Sequence, residues 1–239
     1  MKLALLTTDT LHHAFYLREL KKIYPVDLVL AETVSASPPF RVDHPFERER
    51  DAFERNLFFS GEQGRLADFG DVHQVDSVNS PQASGMLKEY GPDVVLVFGT
   101  GRLRKEILSV CPGRCINLHG GDPERYRGLD SHLWSIYHND FSGLVTTIHH
   151  VNQKLDDGDI ILKESLKITP ELKLHELRSV NTKSCIDISV SALDMFVRRG
   201  RFIHCKQRGC GRYYSFMPME MKELCVSKFN KYVKEMSQC

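Results

Sequence analysis

The stretch DVVLVFG, residues 93–99, puts five apolar side chains in a row and closes them with a glycine. A half-buried strand alternates apolar with polar residues. An unbroken run offers water neither face, so this segment reads as a central strand of a parallel sheet, covered on both sides. Working outward, the same punctuation recurs. LALLTT (3–8) and VDLVLAET (26–33) are short apolar strands, with HHAFYLRELKKI (12–23) between them as a helix whose apolar face is Phe15, Leu17, Leu20 and Ile23. DVHQVD (71–76) is a third strand. Asn79-Ser80-Pro81 then supplies a cap and a first-turn proline for a helix that stops at Tyr90, before Gly91-Pro92. RLRKEILSVC (102–111) is helical and RCINLH (114–119) is the next strand.

Further on, VTTIHHV (145–151) is strand-like, and KLDDGDIILKESLKI (154–168) is an acidic turn running into a strand. A helix is expected from Lys173 to about Arg199, with Leu174, Leu177, Ile188, Leu193 and Phe196 among its apolar positions. The tail RFIHCKQRGCGRYYSFMP (201–218) reads as a β-hairpin turning at Gly209-Cys210-Gly211. The whole implies an α/β, Rossmann-like, mostly parallel sheet with helices on both faces over 1–200, followed by a C-terminal hairpin and tail over 201–239. One interruption stands out. Between residues 35 and 61, Pro38 and Pro39 break the chain, and an Arg- and Glu-rich helix follows, with Phe46, Phe53 and Leu57 on its apolar side. Its charges are either a solvated face or part of a flap over a site.

Composition excludes several classes. With 41% hydrophobic and 26% charged residues the chain is neither disordered nor membranous, and no apolar run approaches a membrane span. A formal net charge of +1 gives no electrostatic reason to expect nucleic acid as a partner. The apolar segment of MKLALLTTDT is too short for a signal peptide and is better read as the first strand. Seven scattered cysteines without an export signal then imply reduced thiols and a cytoplasmic location. Cys111, Cys115 and His119 have a spacing that a metal site could use, but the strand pattern buries Cys115, so no metal is expected.

The chemistry concentrates in CINLHGGDPERYRGLDSHLW (115–134). In a strand, side chains i and i+2 share a face, so Asn117 and His119 project together where the strand ends while Leu118 enters the core. Ligands of parallel sheets gather at the carboxyl ends of strands. There these two residues meet the turn Gly99-Thr100-Gly101-Arg102, and His12 and His13 follow the first strand. One of His149 and His150, which alternate faces, is expected to line the same place. The turn LDDGDII (155–161) brings a carboxylate, Asp156. An amide, an imidazole and a carboxylate suit acyl transfer to an amine: a donor for the developing oxyanion, a proton carrier, and a counter-charge that orients it.

At these residues the chain resembles the folate-dependent formyltransferase family, whose members include the nucleotide-sugar N-formyltransferases. The family's N-x-H, Y-R-G, T-I-H and L-D-x-G-x-I elements read here as NLH (117–119), YRG (126–128), TIH (147–149) and LDDGDII (155–161), in order and with matching spacing. The resemblance implies a catalytic triad of Asn117, His119 and Asp156 and the formyl donor 10-formyltetrahydrofolate. It places the donor along Phe98, Gly99, Thr100, Gly101, Arg102 and Leu103 and along Leu155, Asp157, Gly158 and Asp159. It places the acceptor near His12, His13, Asp122, Tyr126, Arg127 and His149, although Arg127 suits anchoring its own turn better than touching phosphate. Gly120, Gly121 and Asp122 stand where the family carries other residues. The tail is too short for a tRNA-gripping barrel, which favours a small-molecule amine, an amino sugar linked to a nucleotide, as acceptor. A 10-formyltetrahydrofolate hydrolase and a methionyl-tRNA formyltransferase-like protein without the barrel are the alternatives. The apolar residues of the expected hairpin, Phe202, Ile203, Tyr213, Tyr214, Phe216 and Met217, suggest a homodimer formed through it.

Overall fold

The computed structural model of the protein describes residues 1–34 and 37–238, so the expected free thiol of Cys239 lies outside it. In chain order the elements are β1 (Leu3–Thr7), α1 (Leu11–Lys21), β2 (Leu28–Glu32), α2 (Pro45–Phe59), β3 (Val72–Val75), α3 (Pro81–Tyr90), β4 (Val94–Phe98) and α4 (Lys105–Leu108). There follow β5 (Cys115–His119), β6 (Tyr126–Gly128), α5 (Ser131–Tyr137), β7 (Val145–His150), β8 (Ile160–Ser165), α6 (Leu177–Arg199), β9 (Arg212–Tyr214) and α7 (Met219–Met236). Among the described residues one sheet has the order β3-β2-β1-β4-β5-β7-β8. Its first five strands are parallel, whereas β7 runs antiparallel to β5 and to β8.

The unbroken apolar run of β4 does what its pattern requires. Leu96 and Phe98 join the core beneath α1 and α6, and Val95 and Val97 join the one beneath α3 and α4. β1 divides in the same way, Leu3 and Leu5 to one side and Ala4 and Leu6 to the other. Because β1 and β4 are neighbours from which the sheet grows in opposite directions, their carboxyl ends open a crevice. Local signals set the helix ends nearby. Ser80 Oγ accepts the Ala83 N–H at 3.1 Å, Pro81 opens α3, and Gly91 ends it at φ +60°.

The tail departs from expectation. Residues 201–218 do not pair with each other as a hairpin. Cys205 bridges to Ile160 at the start of β8, and β9 lies parallel to β6 with Tyr126 opposite Arg212. Gly209 and Gly211 do not turn a hairpin. They let the tail cross closely over 123–125, where a Cβ on Gly211 would lie 2.4 Å from the Pro123 carbonyl. α7, which the sequence reading did not anticipate, closes a third apolar cluster: Phe229 and Cys225 pack with Ile136, Leu174 and Met217. Phe202 and Met217 are buried within the chain while Ile203 and Tyr213 stay exposed, so part of the surface that suggested self-association is spent internally. In α2 the buried side is Phe46 and Phe58, while Leu57 faces solvent. The long helix starts at Leu177, after a 3-10 turn over Leu174–Glu176.

Candidate active site

A cavity of about 480 Å3 opens at the carboxyl ends of β1, β4 and β5. Asn117 and His119 share the face of β5 opposite to that of Ile116 and Leu118, which are in the core. The antiparallel register of β5 and β7 sets His149 directly across from Asn117. Asn117 Nδ2 and His149 Nε2 lie 3.1 Å apart, and His149 Nδ1 donates to the His150 carbonyl at 2.8 Å. The Asn117 amide thus has the His149 ring on one side, and a second amide proton remains for a ligand.

His119 is 6% exposed, and its Nε2 donates to the Tyr126 carbonyl at 2.8 Å. That commits one ring nitrogen and leaves Nδ1, 3.6 Å from Asp156 Oδ2, as the position where a proton can be taken up beside a carboxylate. Asp156 Oδ1 is 3.5 Å from His149 Nε2, and Oδ2 accepts the Gly128 N–H at 2.8 Å. Burial alone would push this carboxyl up. The His119 and His149 imidazoles and the Gly128 amide outweigh it and hold the group well below the ordinary carboxylate range. Asp156 is thus an anion facing the one nitrogen of His119 that is free to take a proton.

The other expected residues divide. His12, His13, Phe98, Gly99, Thr100, Gly101, Arg102, Leu103, Leu155 and His149 all line the cavity. Burial holds His13 down to about 3, and His12 is lowered for the same reason with His13 adding to it, so both rings are neutral there. Asp157, Gly158 and Asp159 do not line it. Asp157 binds Arg127 at 2.7 Å, Asp159 binds His204 at 2.8 Å, and Gly158 sits so close under the His150 carbonyl that a Cβ would be 1.7 Å from its oxygen. The expected acceptor contacts Asp122, Tyr126 and Arg127 are likewise engaged within the chain. Asp122 pairs with Arg125 and Lys163, and the Tyr126 hydroxyl donates to Asp140. Arg127, 7% exposed, anchors its turn through the Pro123 carbonyl at 2.9 Å.

Sequence reasoning missed a second wall. Phe46 and Arg50 of α2, Asp130 and His132 of the β6–α5 region, and Arg178 and Asn181 of α6 also border the cavity. The paired glycines that depart from the family pattern explain part of this. A Cβ on Gly120 would come within 3.2 Å of the His132 ring and 3.4 Å of the Asn181 amide, so glycine makes room for both. Asn181 carried no distinct sequence signal, because the buried side of its helix also holds Ser179, Thr182, Ser184 and Ser189. Among the described residues no group of three His, Cys, Asp or Glu side chains is placed to hold a metal ion, and no helix is long and apolar enough to cross a membrane.

Residues 43–185 match the family described as formyl transferase. The chain belongs to the formyl transferase family. Among relatives of the chain, the methionyl-tRNA formyltransferase of Ruminiclostridium cellulolyticum is 28% identical over 166 residues, which are 69% of this chain and 52% of that protein. The chain thus spans about half the length of that curated relative. A sugar N-formyltransferase structure from Shewanella sp. FDAARGOS_354 superposes with a TM-score of 0.62 at 15% identity, covering 95% of this chain and 87% of that one. A formyltransferase of Anoxybacillus kamchatkensis, solved with UDP-4,6-dideoxy-4-formamido-L-AltNAc and tetrahydrofolate, superposes at 0.53 with 17% identity, over 89% of this chain and 85% of the other. At these identities the structural likeness speaks for the fold.

Proposed function

We propose that this formyl transferase moves the formyl group of 10-formyltetrahydrofolate to the primary amine of an amino sugar carried on a nucleotide. The observation that carries the reading is the convergence of Asn117, His119 and Asp156 on one cavity, with His119 Nδ1 facing the carboxylate at 3.6 Å. The residues present fit the donor. A cavity of about 480 Å3 falls within the ~300–1,000 Å3 usual for small ligands, and the Phe98–Leu103 turn lines it. Gly99, at φ +81°, leaves no room there for a side chain beside His13. When bound, 10-formyltetrahydrofolate would supply an activated formyl carbon.

The remaining work falls to the chain. The free Asn117 Nδ2–H donates to the oxygen on which negative charge develops. His119 Nδ1 takes a proton from the attacking amine, and Asp156 stabilises the ring that becomes charged. His149 holds the Asn117 amide in place. Arg102 and Lys154 at the cavity margin suit an acceptor that bears phosphate. Among the described residues the six cysteines are free, four of them buried, which fits a reducing compartment such as the cytoplasm. The likeness in fold to a sugar N-formyltransferase and to a formyltransferase solved with a nucleotide-linked sugar supports a sugar acceptor.

The test offers the purified protein 10-formyltetrahydrofolate with a panel of nucleotide-linked amino sugars, with methionyl-tRNA, and with no acceptor. Formylated sugar and free formate are measured by mass spectrometry. Formylated sugar is expected. Formyl-methionyl-tRNA, or formate release independent of any amine, would replace this reading by one of the alternatives.

A further inference from the structure

Asp156 has a backbone that a non-glycine residue does not adopt freely: its φ is +48°, in the left-handed region. Such a conformation is strained for a residue with a Cβ and persists where the surroundings hold it. The carboxylate contacts with Gly128, His119 and His149 act on the side chain. What fixes the main chain comes from elsewhere. Gln207 Nε2 donates to the Asp156 carbonyl at 2.8 Å and to the Gly158 carbonyl at 2.9 Å, so one side-chain amide ties both ends of the Asp156–Gly158 segment. Gln207 Oε1 accepts from Arg127 Nη2 at 2.7 Å. Because a guanidinium has no acceptor, this contact fixes which end of the amide faces the loop.

Gln207 is itself well held. Two residues earlier, Cys205 exchanges both main-chain hydrogen bonds with Ile160, at 2.8 and 2.9 Å, and one residue later Arg208 N donates to Glu124 Oε1 at 2.6 Å. Arg127 adds a third tie by binding Asp157 Oδ1 at 2.7 Å. The staple thus comes from the tail, outside residues 43–185, which carry the family match.

We propose that Gln207 is a positioning residue for Asp156: its amide nitrogen imposes the left-handed turn that aims the carboxylate at His119 and His149. The inference rests on the reading of Asp156 as the counter-charge of the reaction centre. Two variants separate positioning from simple support of the tail. Gln207→Met removes all three hydrogen bonds at similar volume. Gln207→Glu keeps an acceptor for Arg127 but turns an acceptor toward the two carbonyls. If the amide nitrogen is what matters, both variants lower kcat by about tenfold or more with KM for 10-formyltetrahydrofolate little changed, the signature of a misplaced reacting group.

A readout that needs no turnover accompanies this. The 15N resonances of the His119 and His149 rings, which face Asp156, are expected to move in both variants. Those of His132, whose Nε2 is bound to the Val145 carbonyl, are expected to stay. Unmoved His119 and His149 resonances in folded Gln207→Met overturn the proposal. So does Gln207→Glu with wild-type resonances and kcat, because retention of Arg127 alone would then suffice. A wild-type protein inactive on every acceptor would refute the proposed function while leaving the resonance test able to decide this inference.

Discussion

The Gly99–Leu103 side of the cavity and the Leu155–Gly158 segment, which reaches it through Leu155 and Asp156, are held in opposite ways. Along Gly99–Leu103, at the end of β4, the main chain is lightly tied: the Gly101 N–H donates to Glu32 at 2.8 Å, and Asn79 caps the turn through the Arg102 carbonyl. Along Leu155–Gly158 the chain is bound from three directions, by Gly128 on the carboxylate, Arg127 on Asp157 and Gln207 on two carbonyls. The first arrangement leaves a strip of backbone against which a flat ligand can lie. The second fixes a single charge at a chosen point. A wall that must admit a ligand and a wall that must aim an anion call for different densities of hydrogen bonding.

The sharpest way to break this contrast is to remove the groups that the second wall serves. His119→Ala or Asn117→Ala should lower turnover by at least ~10²-fold, the scale for a lost oxyanion donor, while the melting temperature stays close to wild type. Wild-type-like turnover in either variant would take that residue out of the mechanism. Next in size are matched glycine substitutions. Gly158→Ala would drive a methyl into the His150 carbonyl and should cost about 1–3 kcal/mol of stability, together with activity. Gly101→Ala meets only the Glu32 carboxylate, at 3.5 Å, and should change stability by less than about 0.5 kcal/mol. Urea denaturation of both variants makes the comparison, and equal losses would abolish the distinction.

The smallest effect is a pH dependence that differs between the walls. Burial holds His13, beneath Gly99, down to about 3, and His132 to about 4, against an unfolded value near 6.5. Below 6.5 the unfolded chain binds protons that the folded chain refuses. These histidines therefore contribute stability above that pH, and it is lost progressively as pH falls toward 4 and 3. Asp156, depressed instead by its imidazole partners, keeps its contribution down to the ordinary carboxylate range and loses it below. Urea midpoints between pH 7.5 and 4.5 should decline in wild type, and His13→Leu should flatten that decline. A flat wild-type profile would mean that these rings are not buried neutral.

What the sequence made legible follows the range of the interactions. β1, β2 and β4 are each marked by an apolar run, and Ser80, Pro81 and Gly91 punctuate α3 within a few residues, so pattern alone sufficed there. Asn117 and His119 were also readable, because alternation along one strand is local. Their third neighbour, His149, was readable as lining the site, but the contact with Asn117 depends on a strand register that no short window contains. Asp157 failed as a local reading, and Gln207 went unread, for the same reason. Their partners lie 30 to 80 residues away, and a charged side chain near a site looks the same whether it faces ligand or loop. The tail was misread because Gly209 and Gly211 mark a hairpin turn and a tight backbone crossing equally well.

The parallel pairing of β9 with β6 and the bridge from Cys205 to Ile160 also set an order in time. A chain made from its N-terminus presents β1 to β5, with Asn117 and His119, well before the segment that completes their surroundings. Asp156 follows, but its carbonyl finds Gln207 only after 51 further residues have been added. A growing polypeptide therefore passes through a stage in which the carboxylate of Asp156 is present but its turn is not yet held, and that stage lasts until Gln207 has been added.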